Sequence, residues 1–311
     1  MRFAIRPLWR KPDPGVVPGL FGLAVALLVG VGGPAAAEYQ LKPFKDKLFA
    51  YPGILETKDD GAFLRVDYDE VRDLDQRDAI KEQRVKSDYV SLKPRWSEQT
   101  LKFEAGGRTI KFIATGKTRD ARMAVIYVHG QGGNRFQGAN DWRFGGNFNR
   151  IKNLMTRNDG LFISTDFSDF GTRGKDEVKQ LMKLVAANSP GAPIFVACGS
   201  MGGAICWRLS EDPEAAKLLG GLLFLGSMWN NDFFKMPMLT DKSRWVPIYF
   251  GHGSADSVFP WESQKAFFEK IRRAAPGYPV KFVLFETGSH GTPIRMTDWR
   301  AVLNWMLSVN G

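Results

Sequence analysis

Histidine and cysteine are scarce in this 311-residue sequence, which contains three of the first and two of the second. Zinc and most other transition-metal sites draw their ligands from clusters of these residues, so we predict no metal centre. The sequence also lacks a glycine-rich phosphate-binding loop with its lysine, and we predict no cofactor. The formal net charge of +10 is scattered along the chain rather than gathered in blocks, which argues against a nucleic-acid partner.

Long apolar runs are also few, and the most informative one lies near the N-terminus. Basic residues precede an apolar stretch from Leu20 to Val31, and small residues ending in Ala37 follow it. This order is typical of a secretory signal peptide, so we predict that residues 1–37 are removed and that the protein is exported, to the periplasm or out of the cell. The alternative is a retained membrane anchor, because apolar flanks bring the run close to the length that spans a bilayer.

The rest of the chain divides into two regions of different character. Residues 38–97 are rich in charge and show no clear periodicity, and we interpret them as a wrapping N-terminal extension whose role the sequence does not assign. Residues 98–311 are patterned as a single domain. At its start, apolar and polar residues alternate on both sides of Gly106-Gly107, which predicts a β-hairpin.

After the hairpin, short apolar runs alternate with segments of helical periodicity. Continuous apolar runs are typical of strands covered on both faces, and their alternation with helices predicts an α/β fold with a mostly parallel central sheet flanked by helices. The predicted strands are Met123–Val128, Leu161–Thr165, Ile194–Ala197, Leu222–Leu225, Val246–Phe250 and Val280–Phe285.

The third of these strands leads into a cramped turn that carries Ser200. The turn reads Cys198-Gly199-Ser200-Met201-Gly202-Gly203. A serine on a strand-to-helix turn has its hydroxyl raised off the end of the sheet, and small neighbours are needed because the backbone is crowded. The run resembles the nucleophile elbow, G-x-S-x-G, of the α/β-hydrolase superfamily, except that Cys198 replaces the first glycine. The resemblance extends from about Thr100 to the C-terminus and implies an α/β-hydrolase fold with Ser200 as nucleophile.

Two later loops are similar to the acid and histidine loops of that family. Asp256 lies in the loop after the strand Val246–Phe250, and His290 lies in the loop after the next strand. The family orders its triad as serine, acid, histidine, so the resemblance implies that His290 is the general base and that Asp256 orients it. Glu286 and Asp298 are the rival acids.

A glycine-rich loop after the first of the parallel strands extends the resemblance. His129-Gly130-Gln131-Gly132-Gly133 is similar to the family's loop that supplies one backbone N–H to the oxyanion of a reaction intermediate, and the residue after the nucleophile supplies the other. The implied oxyanion donors are Gln131 and Met201. We interpret His129 and His252, which lie in corresponding loops, as structural.

The short segment between two of the predicted strands indicates that no large domain covers the predicted site. Only about twenty residues separate the strands that end at Leu225 and begin at Val246, so we expect no large cap domain. Within this segment, Met228–Leu239 is rich in aromatic residues and methionine and either lines an acyl or alcohol pocket or packs on the domain. We expect Cys198 and Cys206 to be buried thiols, because their Cα atoms should lie beyond the bridging limit of about 7 Å.

With the resemblance, these features predict an exported serine hydrolase that cleaves carboxylic esters through an acyl-enzyme on Ser200. The implied partner is a small-molecule or acylated substrate, and the basic charge is compatible with association with an envelope surface. A peptidase, thioesterase or acyltransferase with the same triad is an alternative. So are a non-catalytic binding protein on the same fold and an envelope-associated interaction protein that relies on residues 38–97. The physiological substrate and the oligomeric state are left open.

Overall fold

The computed structural model describes residues 39–310. The predicted signal peptide, with cleavage after Ala37, lies outside the described residues. Within residues 39–310, no helix is both long and apolar enough to cross a membrane.

Strands make up the centre of the described chain. They are β1 (Ile54–Lys58), β2 (Phe63–Val66), β3 (Asp78–Ile80), β4 (Arg84–Val85), β5 (Glu98–Ala105), β6 (Arg108–Gly116), β7 (Ala124–Val128), β8 (Leu161–Thr165), β9 (Ile194–Gly199), β10 (Leu219–Leu225), β11 (Ile248–Gly253) and β12 (Val280–Phe285). β3 pairs with β4, and the others form one ten-stranded sheet in the order β1-β2-β12-β11-β10-β9-β7-β8-β6-β5. Neighbours from β2 to β8 in this order are parallel, and the pairings at both edges are antiparallel. The predicted mostly parallel sheet is confirmed.

Helices cover both faces of this sheet, as the uniformly apolar strands predict. In β7, Ile126 and Val128 belong to the core cluster that includes side chains of α4 (Thr172–Asn188), α5 (Gly203–Glu211) and α8 (Trp261–Ala274). Val125 and Tyr127 point to the other face and belong to the cluster that includes side chains of α3 (Asn147–Arg157) and α10 (Trp299–Asn310). The opposite directions follow from the two-residue period of a strand. The helices are α1 (Asp46–Phe49), α2 (Arg135–Ala139), α3 (Asn147–Arg157), α4 (Thr172–Asn188), α5 (Gly203–Glu211), α6 (Pro213–Ala216), α7 (Pro237–Thr240), α8 (Trp261–Ala274), α9 (Thr292–Met296) and α10 (Trp299–Asn310).

The predicted hairpin is confirmed as β5 and β6 at one edge of the sheet. Its turn consists of Gly106 and Gly107, with φ angles of 56° and 74°. Two consecutive residues in the left-handed region are what a tight two-residue hairpin turn requires, and glycine adopts that region without steric cost.

The N-terminal extension joins the sheet at the opposite edge. Its strand β2 runs parallel to β12 and pairs with it, and β1 pairs antiparallel with β2. The chain then crosses the end of the sheet where β12 ends. Two hydrogen bonds hold it there: the Arg77 guanidinium donates to the carbonyl of Gly145 at 2.7 Å, and the N–H of Val85 donates to the carbonyl of Trp142 at 3.0 Å. The extension therefore runs over the end of the sheet where the loops after β9, β11 and β12 lie.

The segment between β10 and β11 is compact. Within the described residues it contains the four-residue helix α7 and short 3-10 turns, and it inserts no helical cap domain. Of the aromatic and methionine side chains in Met228–Leu239, Phe233, Met236 and Met238 are buried in the core, where the ring centroid of Phe233 lies 5.3 Å from that of Trp207. Phe233, Met236 and Met238 therefore pack on the domain, which is the second of the two roles considered for this segment, instead of lining an acyl or alcohol pocket.

Candidate active site

The turn after β9 has the strained geometry that the sequence predicts. Ser200 has a φ of 49°, in the left-handed region that residues other than glycine rarely adopt. One turn of 3-10 helix follows, and α5 begins at Gly203. A Cβ at Gly202 would lie 2.6 Å from the carbonyl oxygen of Val128, and a Cβ at Gly203 would lie 1.9 Å from Oγ of Ser227. Positions 202 and 203 therefore exclude a side chain.

The prediction of two free thiols is wrong, because Cys198 and Cys206 form a disulfide bond. Their Cα atoms are 6.3 Å apart, within the range that a disulfide spans. The sharp turn at Ser200 folds α5 back along β9, so eight residues of separation bring the two side chains together instead of apart. Both cysteines are fully buried. Cys198, which replaces the first glycine of the G-x-S-x-G pattern, thus links β9, the strand before Ser200, to α5, the helix after it.

The three residues of the predicted triad lie together in one chain of hydrogen bonds. His290 Nε2 lies 2.9 Å from Ser200 Oγ, and His290 Nδ1 lies 2.8 Å from Asp256 Oδ2. These contacts fit the tautomer in which Nδ1–H donates to the carboxylate and Nε2 accepts from the serine hydroxyl. The Asp256 side chain is fully buried, whereas 29% of the His290 side chain is exposed. The arrangement leaves a proton acceptor beside Ser200 and open to solvent.

Asp256 is held as a carboxylate by its surroundings. Burial alone raises its pKa, but the hydrogen bond from His290 and those from the backbone N–H groups of Val258 and Phe259 outweigh burial and lower the pKa. The two N–H groups bind Oδ1 at 2.8 and 3.1 Å, which leaves Oδ2 for the histidine. His252 lies behind the carboxylate, with Nε2 2.9 Å from the carbonyl of Phe259 and 3.4 Å from Oδ2. The loop thus presents one oxygen to His290 in a fixed orientation.

The rival acids are engaged elsewhere. Glu286 pairs with Arg65 at 3.4 Å, and Asp298 pairs with Arg150 at 2.8 Å. The carboxylate that contacts His290 is that of Asp256.

The two predicted oxyanion residues lie in segments next to the nucleophile. A Cβ at Gly130 would lie 2.9 Å from Cβ of Ser200, so the loop that contains Gln131 runs directly against the serine. Met201 is the second residue of a 3-10 turn, and the first N–H groups of a helix have no acceptor inside it. The loop that contains Gln131 and the turn that contains Met201 therefore both lie next to Ser200.

The glycine-rich loop is supported by its own side chains. His129 is buried, its Nδ1 lies 2.9 Å from the carbonyl oxygen of Gly130, and its ring stacks on Phe167 with centroids 4.3 Å apart. Asn134 caps α2 by accepting from the N–H of Phe136 at 2.9 Å. His129 therefore lies where it shapes the loop, as the structural interpretation predicts.

Ser227 is a neighbour of the site that the sequence did not single out. It follows β10, is buried, and donates from Oγ to the carbonyl oxygen of Ser200 at 2.6 Å. This bond fixes the peptide group that follows the nucleophile. A single serine after a strand carries no distinctive signal, so only the fold reveals the contact.

The extension holds the loop that carries His290. The N–H of Glu286 donates to the carbonyl of Val66 at 2.9 Å, and Oγ1 of Thr287 donates to the carbonyl of Tyr68 at 3.1 Å. The first bond continues the pairing of β2 with β12, and the second carries it into the loop. The histidine therefore lies on a segment that residues 38–97 help to position.

A buried ion pair adds a second attachment. Asp78 of the extension accepts two hydrogen bonds from Arg295, at 2.9 and 2.6 Å, and Arg295 lies on α9 directly after the histidine loop. Arg77 is also buried here, and burial together with the charge of Arg295 lowers its pKa to about 10. Bidentate carboxylate–guanidinium pairs fix direction as well as distance.

Among residues 39–310, no group of three or more histidine, cysteine, aspartate or glutamate side chains is arranged to hold an ion.

Comparisons with known proteins agree with this architecture. No protein-family model and no curated protein sequence matches the chain. Among solved structures, it is similar to a thermostable esterase, with a TM-score of 0.53, 16% identity, and 68% of this chain and 63% of that one covered. It is also similar to a putative α/β hydrolase of unknown function from Agrobacterium tumefaciens, with a TM-score of 0.51, 14% identity, and 68% and 96% covered. At such identities the likeness establishes architecture rather than activity. The chain therefore has the α/β-hydrolase fold.

Proposed function

We propose that the protein is an exported serine hydrolase that cleaves carboxylic esters through an acyl-enzyme on Ser200. The observation that carries the proposal is the hydrogen-bond chain from Ser200 through His290 to the buried carboxylate of Asp256. The loops that supply these residues follow the carboxyl ends of three parallel strands, β9, β11 and β12, which is where α/β folds place their sites. Both solved structures cited above are named as hydrolases, one of them as an esterase, which agrees with this reaction class.

The acylation step follows from the tautomer. Ser200 Oγ attacks the carbonyl carbon of the ester, and its proton moves to His290 Nε2 as the new bond forms. Asp256 stabilises the imidazolium, and the N–H groups of Gln131 and Met201 bind the oxyanion. When the intermediate collapses, the bond to the alcohol oxygen breaks and His290 gives its proton to that oxygen.

Deacylation repeats the sequence with water. His290 takes a proton from a water molecule, whose oxygen attacks the acyl carbon. The second intermediate releases the carboxylic acid and returns the proton to Ser200 Oγ, so atoms and charge balance over the cycle.

Export is part of the proposal. A structural disulfide is stable in oxidising compartments such as the periplasm, and the Cys198–Cys206 bond agrees with the signal-peptide pattern of residues 1–37. Expression of the full chain in a Gram-negative host followed by fractionation and intact-mass measurement tests this. A periplasmic or medium species that begins at Glu38 supports export, and a full-length membrane species supports the anchor. A salt wash of the envelope fraction tests association with its anionic surface.

Turnover of p-nitrophenyl acetate tests the reaction. Ser200→Ala and His290→Ala should each lower kcat by on the order of a thousandfold or more, since triad members act as a unit. Ser308→Ala is the matched control, because Ser308 is an exposed serine near the end of α10. Equal turnover by the wild type and Ser200→Ala contradicts the proposal.

A further inference from the structure

A cavity of about 460 Å³ lies beside the histidine loop and is walled in part by the N-terminal extension. Ser289 and Gly291, the two neighbours of His290 in sequence, form part of its lining. Glu70 and Glu82 of the extension and Arg143 of the loop before α3 line it as well. Its volume lies in the lower part of the range for small-molecule pockets, which is about 300–1,000 Å³. The cavity thus adjoins the loop that carries His290 and is shaped in part by the N-terminal extension, which the family resemblance does not cover.

The charges around this cavity nearly cancel. Glu70 is paired with Lys81 at 2.7 Å, and Arg295 is occupied by Asp78. Of the lining residues, Glu82 and Arg143 are the ones whose charges are engaged by no ion pair within residues 39–310. One carboxylate and one guanidinium make a site without a strong net field, so an anionic or cationic ligand gains little from it.

The hydrogen-bonding groups are many and of both kinds. A carboxylate only accepts and a guanidinium only donates, whereas the hydroxyls of Ser289 and Thr292 do both. The Thr287 hydroxyl donates to the carbonyl of Tyr68 and can still accept. An alkyl chain that filled this cavity would remove these groups from water without replacing their hydrogen bonds, which is unfavourable. Ligand hydroxyls, which both donate and accept, can form hydrogen bonds with Glu82 and with Arg143.

One apolar surface completes the lining. Phe144 is half-buried, and its ring lies 3.8 Å from where a Cβ of Gly291 would be, so an aromatic side chain borders the cavity next to the histidine loop. Saturated rings that carry hydroxyls at their edge and C–H groups on their faces match such a combination of polar groups and one aromatic surface.

We infer that this cavity binds a neutral polyhydroxylated group, such as a sugar or cyclic polyol, which forms the alcohol part of the ester. The inference rests on the proposed esterase function and names the substrate class of that site. Glu82 and Arg143 act as specificity residues, and the extension supplies one of the two.

A matched pair of acetate esters tests this substrate class. Methyl 6-O-acetyl-glucoside and cyclohexylmethyl acetate both carry an acetyl group on a primary oxygen, one carbon away from a six-membered ring. They differ in that the glucoside ring contains an oxygen atom and carries hydroxyl and methoxy groups, which the cyclohexane ring lacks. The sugar ester should have a kcat/KM about tenfold or more above that of the cyclohexyl ester, because a site built for hydroxyls rejects a ligand that lacks them. Glu82→Gln and Arg143→Ala should each reduce this ratio several-fold. Arg119→Ala, an exposed arginine in the turn before β7 at the other end of the sheet, should leave the ratio unchanged.

The outcomes separate this inference from the proposed function. If both esters are hydrolysed with equal kcat/KM, or if neither cavity variant changes the ratio, the inference is wrong and the esterase proposal stands. If neither ester is hydrolysed, the proposed function fails, and the cavity is then tested by titrating methyl glucoside into the wild type and Arg143→Ala by NMR. Binding weakened about tenfold by the substitution supports the cavity, and absence of binding to the wild type overturns it.

Discussion

Asp78 and Arg295 form a buried ion pair with two hydrogen bonds, which joins the N-terminal extension to the helix after His290. The two side chains are 1% and 6% exposed, so water cannot compensate for the loss of either partner. A buried pair contributes little compared with a well-packed apolar pair, but removing one partner leaves a buried charge without a counterion.

Asp78→Asn should therefore lower the free energy of unfolding by about 3–5 kcal/mol. The loss is aggravated because Arg77 lies beside Arg295 and the two positive charges already repel. Denaturant unfolding followed by tryptophan fluorescence measures it. Glu70→Gln, which removes one of the two exposed carboxylates paired with Lys81, is the control and should change stability little. A small effect of Asp78→Asn, equal to that of the control, would show that the extension is not anchored through this pair.

The Cys198–Cys206 bond should stabilise the elbow. A cross-link between residues eight positions apart lowers the entropy of the unfolded chain and so raises the free energy of unfolding by roughly 2–3 kcal/mol. The double variant Cys198→Ala/Cys206→Ala should therefore unfold at a lower denaturant concentration. Non-reducing peptide mapping of the wild type should give one cross-linked peptide pair. Two free thiols in the unfolded, unreduced protein would contradict the assignment, and the wild type unfolded in reductant is the control for the double variant.

Ser227→Ala should reduce turnover without removing it. The substitution deletes the hydrogen bond to the carbonyl of Ser200, and one such bond contributes about 1 kcal/mol, so we expect kcat to fall by roughly fivefold to tenfold. KM should change less, since the bond positions the nucleophile and lies behind it. Steady-state kinetics with p-nitrophenyl acetate distinguishes the two parameters, and an unchanged kcat would mean that the elbow keeps its geometry without Ser227.

Two buried histidines should make stability depend on pH. Burial lowers the pKa of His129 and of His252 below that of a histidine in the unfolded chain, which is about 6.5. The unfolded state therefore binds more protons below that pH, and the free energy of unfolding should fall on acidification by at most about 1.4 kcal/mol per pH unit for each histidine. Unfolding curves between pH 5 and 8 measure the slope. His252→Gln should flatten it, and a slope unchanged by that variant contradicts the assignment.

Local patterns predicted the centre of the sheet. Strands Leu161–Thr165 and Val280–Phe285 begin and end where the apolar runs do, because a strand buried on both faces must be apolar throughout. Ser200, Asp256 and His290 were predicted from the resemblance of their loops to those of the α/β-hydrolase superfamily. Their hydrogen-bond distances needed the fold.

What the sequence did not predict depends on long-range contacts. β2 has only four residues, and its burial is set by β12, more than two hundred residues away. The disulfide was missed because the distance from Cys198 to Cys206 depends on the sharp turn between them, which spacing alone does not describe. The extension's role depends in the same way on a partner, Arg295, at the far end of the chain.

Labelling with a fluorophosphonate probe tests the central claim most directly, because the probe reacts with a serine only when a neighbouring base activates it. The wild type should be labelled at Ser200, as mapped by mass spectrometry, and Ser200→Ala and His290→Ala should not be labelled, whereas Ser308→Ala should react like the wild type. A folded wild-type protein that stays unlabelled, or is labelled equally in His290→Ala, would contradict an activated Ser200–His290–Asp256 triad.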